Sequence, residues 1–179
     1  DNLNIIDKSE DIESLAMLEK DNGDVYFVPA FSGLFSPHWD ETARGSLFGL
    51  TRFSNKSHLA RAVLESVAFQ TYELLESMEK DLDTKFDTLK VDGGMVANNL
   101  LMQFQSDLLD KSIQSQEINE ITALGVGVAS YLYVMDLPLS SMGNYITSSK
   151  TWNPNMSNET RINSLESWYK AIEKAKNWL

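Results

Sequence analysis

Cysteine is absent from the 179 residues, which excludes a disulfide framework and any thiolate metal site. That absence fits a reducing compartment. Histidine is nearly absent too: His38 and His58 are the two in the chain, and neither has a second ligand or a nucleophile at a telling spacing. A histidine metal cluster or a Ser–His catalytic arrangement therefore has nothing to build on. Positive charge is scarce, with 15 Lys and Arg against 26 Asp and Glu, giving a formal net charge of -11. No basic stripe offsets it, so a nucleic-acid backbone is an unfavourable partner. No apolar run approaches the length of a membrane span, and the opening DNLNIIDKSED lacks a basic region followed by an apolar one. There is no internal repeat, no low-complexity tract and no phosphate loop of the form G-x-x-x-x-G-K-[ST]. A cytoplasmic location is the expectation.

What is present is globular. Hydrophobic residues make up 42% and aromatics 10%, with a mean hydropathy of -0.27. The length suits one domain or the better part of one. The first residue is Asp1 rather than Met, which reads as a fragment of something longer.

Along the chain, Ser9, Glu10 and Asp11 precede Ile12, Leu15 and Leu18, so a helix over 9–20 with a cap at Ser9 is predicted, closed by Asp21-Asn22-Gly23. VYFVPAF, Val25 to Phe31, reads as a strand whose edge or end is set by Pro29. The stretch from Ser32 to Gly45 has no sustained period and reads as an ordered loop, followed by a second extended piece in SLFGLT. Ser54 or Asn55 caps a long helix to about Lys80, with Leu64, Ala68, Thr71, Leu75 and Met78 at helical spacing. LKV is a short strand, and a helix carrying Leu101, Phe104 and Leu108 on one face follows it. KSIQSQEI is a further strand, and Thr122 to Met135 an apolar helix. Residues 137–155 read as a long connection, and Ile162, Leu165, Trp168, Tyr169, Ile172, Ala175 and Leu179 mark a final amphipathic helix. Alternating strands and helices make the fold class α/β.

Between LKV and its helix lies VDGGMVANN, Val91 to Asn99. Glycine lets a backbone approach a ligand closely, and a helix N-terminus offers unpaired N–H groups to an anion, so a phosphate or nucleotide fits here. Spacing alone favours the plainer reading, a tight strand-to-helix turn at Gly93-Gly94 with Asn98 or Asn99 as the helix cap. Gly125-x-Gly127-x-x-Ser130 resembles part of a dinucleotide fingerprint, but it sits inside a helical apolar pattern. Close packing of that helix on a sheet is the expected reason for its small residues. Asp40, Glu41 and Arg44 are read as structural loop charges, and Trp168, Tyr169 and Trp178 as packing aromatics.

The segment GSLFGLTRFSNKSHLARAVLE, Gly45 to Glu65, meets in full the second signature of the FGGY carbohydrate kinases. FVPAFSGLFSPHWDETARG is similar to the loop that precedes that signature in the family's glycerol kinases, and VDGGMVANNLLMQFQSDLL resembles their nucleotide-site segment. EITALGVGVA is similar to the helix that follows. The likeness is strong over about Val25 to Asp136 and weaker beyond. The departures are His38, where an aromatic residue is usual, and Val126-Gly127, where alanines are common.

The resemblance implies an actin-like, ribonuclease-H-like ATPase fold, with residues 1–179 forming most of the C-terminal domain of a two-domain kinase. It implies transfer of the γ-phosphoryl group of ATP, with Mg²⁺ carried by the nucleotide, to glycerol in the cleft between domains. The alternatives are another sugar kinase of the family, or a non-catalytic nucleotide-binding or interaction module. Carried over residue by residue, Gly94 and Asn98 contact the nucleotide while Asp92 and Gly93 shape the turn. The family's catalytic aspartate lies in a GDQ-type motif that these residues do not contain, so no catalytic residue is expected here. The implied partners are the protein's own N-terminal domain and, in a homo-oligomer, further copies of the chain.

Overall fold

A computed structural model describes residues 5–116, 121–145 and 148–179. The chain runs α1 (Asp11–Ala16), β1 (Tyr26–Val28), β2 (Ser46–Phe48), α2 (Lys56–Leu82), β3 (Thr88–Val91), α3 (Asn99–Leu109), β4 (Ser112–Gln116), α4 (Ile121–Val134), β5 (Ser148–Trp152) and α5 (Asn158–Ala175). Two 3-10 turns, Gly94–Ala97 and Leu139–Tyr145, lie between elements. β3 pairs in parallel with β4, with Leu89 opposite Ile113, and β5 adds antiparallel to the far edge of β4. β1 and β2 form a separate antiparallel pair. Among the described residues no helix is long and apolar enough to cross a membrane.

The long helix α2 starts at Asn55, whose side chain accepts from the Ser57 and His58 amides, while His58 Nδ1 accepts from the Asn55 amide at 3.3 Å. This is a capping box with histidine in the usual Glu or Gln position. The helix ends at Asp83, which takes the left-handed conformation (φ 49°). Beyond it, Glu79 accepts from the Phe86 amide and pairs with Lys85 and Lys111, tying the helix end to the approaches of β3 and β4. The Phe86 hydrogen bond and then Lys111 hold its carboxyl down at about 2.

The core lies where α2, α3 and α5 meet. Phe69 stacks on Trp168 with ring centres 4.9 Å apart and planes 4° from parallel, and meets Phe104 edge-on at 5.6 Å. Leu64, Leu101, Leu108, Ile113, Leu165 and Ile172 complete it. Trp168 has no solvent exposure.

Four sequence expectations are corrected. The first helix spans Asp11–Ala16 rather than 9–20, and Ser9 does not cap it; Glu10 holds the cap position without a side-chain bond. The chain departs from the helix at Met17 because Glu19 turns to α2, its carboxylate accepting from Asn55 and its carbonyl from Arg61. The connection over 137–155 contains β5. Its strand SSKTW is polar on an exposed edge and so shows no apolar alternation, although Trp152 is buried. Trp178 and Leu179 are exposed at 64% and 76%, because the backbone leaves the helix at Lys176. Gly125 and Gly127 do lie in a helix, but among the described residues a Cβ at either would meet nothing within 4 Å, so the expected close packing on the sheet is not seen there.

Candidate nucleotide site

The site is built at the carboxyl end of β3, the location where ligands bind in open α/β sheets. β3 delivers the chain to Asp92 and Gly93, and the 3-10 turn Gly94–Ala97 then leads to Asn98 at the head of α3. Asp92, Gly93 and Gly94 are all exposed. Gly93 sits at φ 92°, ψ 176°, a region almost closed to residues with a Cβ, so the turn itself requires glycine there.

Gly94 is different. Its backbone carries no positive φ, and among the described residues a Cβ built on it would meet nothing within 4 Å. Neither conformation nor internal packing accounts for a bare backbone at this position. Among the described residues the amides of Gly94 and Met95 meet no backbone acceptor, whereas those of Val96 and Asn98 are used within the turn.

Asn98 caps α3, its Oδ1 accepting from the Leu101 amide at 2.9 Å. The plainer reading of this asparagine as a cap is thus present in the structure. It uses the oxygen and leaves the carboxamide nitrogen, with two donors, uncommitted among the described residues. The head of α3 is not an open anion seat, however. The next amide, that of Leu100, donates to Glu13 Oε1 of α1 at 2.9 Å. Asn99 Oδ1 accepts from Lys150 of β5, whose ammonium also lies 4.9 Å over the Trp152 ring. The open donors lie upstream, at the glycines.

The other sequence candidates fall away from this turn. His38 Nε2 lies 2.7 Å from Glu73 Oε1, and burial pushes the Glu73 carboxyl up against the pull of His38. His58 is spent on the α2 cap. Asp40 Oδ1 accepts from Thr42 and Ala43, and its Oδ2 from the Asn177 amide, interactions that hold its carboxyl down at about 2, the Thr42 hydroxyl first. It is a structural charge, as read. Among the described residues no group of three or more acidic or histidine side chains is placed to hold a metal.

The signature segment 45–65 also lies outside the turn. A Cβ on Gly49 (φ 82°) would stand 1.9 Å from the Asp24 carbonyl oxygen, Ala62 and Leu64 are buried, and Glu65 pairs with Arg61 at 2.9 Å. These residues serve the fold itself. Sequence reasoning missed Glu13 and Lys150, whose relation to the turn exists through tertiary contact alone.

Residues 2–131 match the family model described as the FGGY family of carbohydrate kinases, C-terminal domain. The chain is similar to a glycerol kinase of Brucella anthropi (48% identity over 100% of this chain and 36% of that protein) and to one of Nocardia farcinica (49% identity, 99% and 37%). It superposes on the crystal structure of Plasmodium falciparum glycerol kinase with ADP at a TM-score of 0.90 and 32% identity, covering 97% of this chain and 35% of that one. A xylulose kinase from Lactobacillus acidophilus shares the fold, at a TM-score of 0.78 and 22% identity. The chain spans about a third of the length of these relatives.

Proposed function

Because the chain belongs to the FGGY family of carbohydrate kinases, in its C-terminal domain and with the actin-like ATPase fold, we propose that the full-length protein phosphorylates glycerol from ATP. Residues 1–179 supply part of the nucleotide-binding side of the cleft. The observation that carries this reading is Gly94, exposed and bare for no reason found among the described residues.

Phosphoryl transfer asks the protein mainly for positioning and for stabilisation of charge. Gly94 lets a nucleotide come close to the unspent amides of Gly94 and Met95, and Asn98 donates from its carboxamide nitrogen while its oxygen keeps the helix capped. Asp92 and Gly93 shape the approach. Mg²⁺ is carried to the site by the nucleotide, whose phosphate oxygens supply its ligands. The carboxylate that orients the acceptor hydroxyl, and most contacts to glycerol, lie in the part of the protein upstream of these residues. A homo-oligomer in the cytoplasm completes the proposal.

The test separates ligand contact from capping. In the full-length enzyme, Gly94→Val raises KM for ATP by roughly tenfold or more, equivalent to about 1.4 kcal/mol or above, with Tm unchanged. Asn98→Asp keeps a good helix cap but replaces the donor with an acceptor and adds a charge, so nucleotide affinity falls while stability holds. Unaltered ATP affinity in both variants sinks the assignment. Assay on glycerol against pentoses separates this activity from that of a related sugar kinase.

A further inference from the structure

The head of α3 is satisfied from two directions. Asn98 serves the Leu101 amide from its own cap position, and Glu13, 87 residues before Leu100, reaches over from α1 to serve the neighbouring amide. Capping as such does not need this second acceptor: one Asx side chain is the usual provision, and water can take the remaining amide of a partly exposed helix end. What the second acceptor changes is the Asn98 side chain. With the Leu100 amide occupied, the Asn98 oxygen faces a single donor, and its carboxamide plane is fixed with the nitrogen on the side away from that bond. Without Glu13 the Leu100 amide turns either to water or to the Asn98 oxygen, and whenever that oxygen is shared between Leu100 and Leu101 the nitrogen no longer has one direction.

The segment that carries Glu13 is itself anchored. Ala16 is fully buried, and Ile12 and Leu15 pack against the core. A little further on, Glu19 accepts from Arg61 through its carbonyl and from Asn55 through its carboxylate. A carboxylate beside the first turn of α3 is also favoured by the helix dipole.

We infer that Glu13 is a positioning residue for nucleotide recognition: its carboxylate occupies the Leu100 amide and so fixes the plane in which Asn98 presents its amide nitrogen to the nucleotide. This rests on the reading of Asn98 as a nucleotide contact.

In the full-length enzyme, KM for ATP, kcat and KM for glycerol are compared for Glu13→Ala, Glu13→Gln, Asn98→Ala and the double variant Glu13→Ala/Asn98→Ala. Glu13→Ala is expected to raise KM for ATP roughly three- to tenfold, the scale of one hydrogen bond, with kcat and KM for glycerol within about twofold. Glu13→Gln, whose amide oxygen still accepts from Leu100, restores most of the affinity. The double variant binds ATP no worse than Asn98→Ala alone, because the two residues act through one contact. If Asn98→Ala weakens ATP binding and Glu13→Ala does not, Glu13 is only structural and the nucleotide reading stands. If neither variant weakens it, both readings fall. Additive losses in the double variant overturn the coupling. Should Glu13→Ala not fold, Glu13→Asp, whose shorter side chain does not span to Leu100, takes its place under the same criteria.

Discussion

Glu65 is a carboxylate placed where a carboxylate is costly. It is 6% exposed on α2, with Arg61 Nε 2.9 Å from its oxygen. Burial pushes its carboxyl up to about 7 from an ordinary 4.5, against the pull of the Arg61 hydrogen bond and charge. The folded protein therefore holds a proton that the unfolded chain has released. The contribution of this group to stability is complete below about pH 4.5, declines as pH rises toward about 7, and is flat above. Replacing Glu65 with Gln removes that part of the slope and leaves every other titration in place. Urea midpoints taken at about pH 5 and about pH 7.5 should differ more in the wild type than in Glu65→Gln. Equal differences in the two proteins would show that Glu65 ionises normally.

Among elements, the contact of α2 with α5 is held by the Phe69–Trp168 stack. Trp168→Ala should cost about 3–5 kcal/mol of unfolding free energy, since it empties a large closed site and removes an aromatic pair. Trp178→Ala, three residues past the end of the same helix and exposed, should change stability by less than about 0.5 kcal/mol. The contrast shows how far the sequence could be read. Apolar residues at helical spacing located α2, α3 and α5, because a helix that buries one face must repeat in that way. Periodicity did not say where the helix stops, so Trp178 and Leu179 continued the pattern on paper while the backbone had already turned away at Lys176. β5 was invisible for the converse reason, an edge strand with a polar sequence and one buried tryptophan. At the candidate site the glycine turn and the Asn98 cap were legible as local features, and resemblance gave them a ligand. The bond from Glu13 to Leu100 was not, because nothing local marks a contact across that sequence distance.

At the scale of the whole molecule, α4 and the turn after it form an apolar surface that the described residues leave uncovered. Val126, Tyr133, Val134, Met135, Leu137 and Leu139 are exposed, and the helix buries Val128 and Leu132 alone. An exposed apolar patch of this kind offers a site for the ring system of an apolar dye, while the net charge of -11 opposes an anionic sulfonate. Isolated chain 1–179 should enhance the fluorescence of anilinonaphthalene sulfonate, and a Val134→Glu/Met135→Lys double variant should lower that signal without shifting Tm. An unchanged signal would place the dye elsewhere.

Two glycines on this molecule are bare for opposite reasons. Gly49 has the Asp24 carbonyl against it, and Gly94 has empty space. A library of variants sorted only for soluble, folded protein should lose every substitution at Gly49 and keep most of those at Gly94. If the proposed kinase activity and nucleotide contact hold, the same library in the full-length protein, sorted for growth on glycerol, should lose both. Subtracting the first tolerance map from the second would then trace the outline of the proposed nucleotide on the protein, position by position, with no ligand in view.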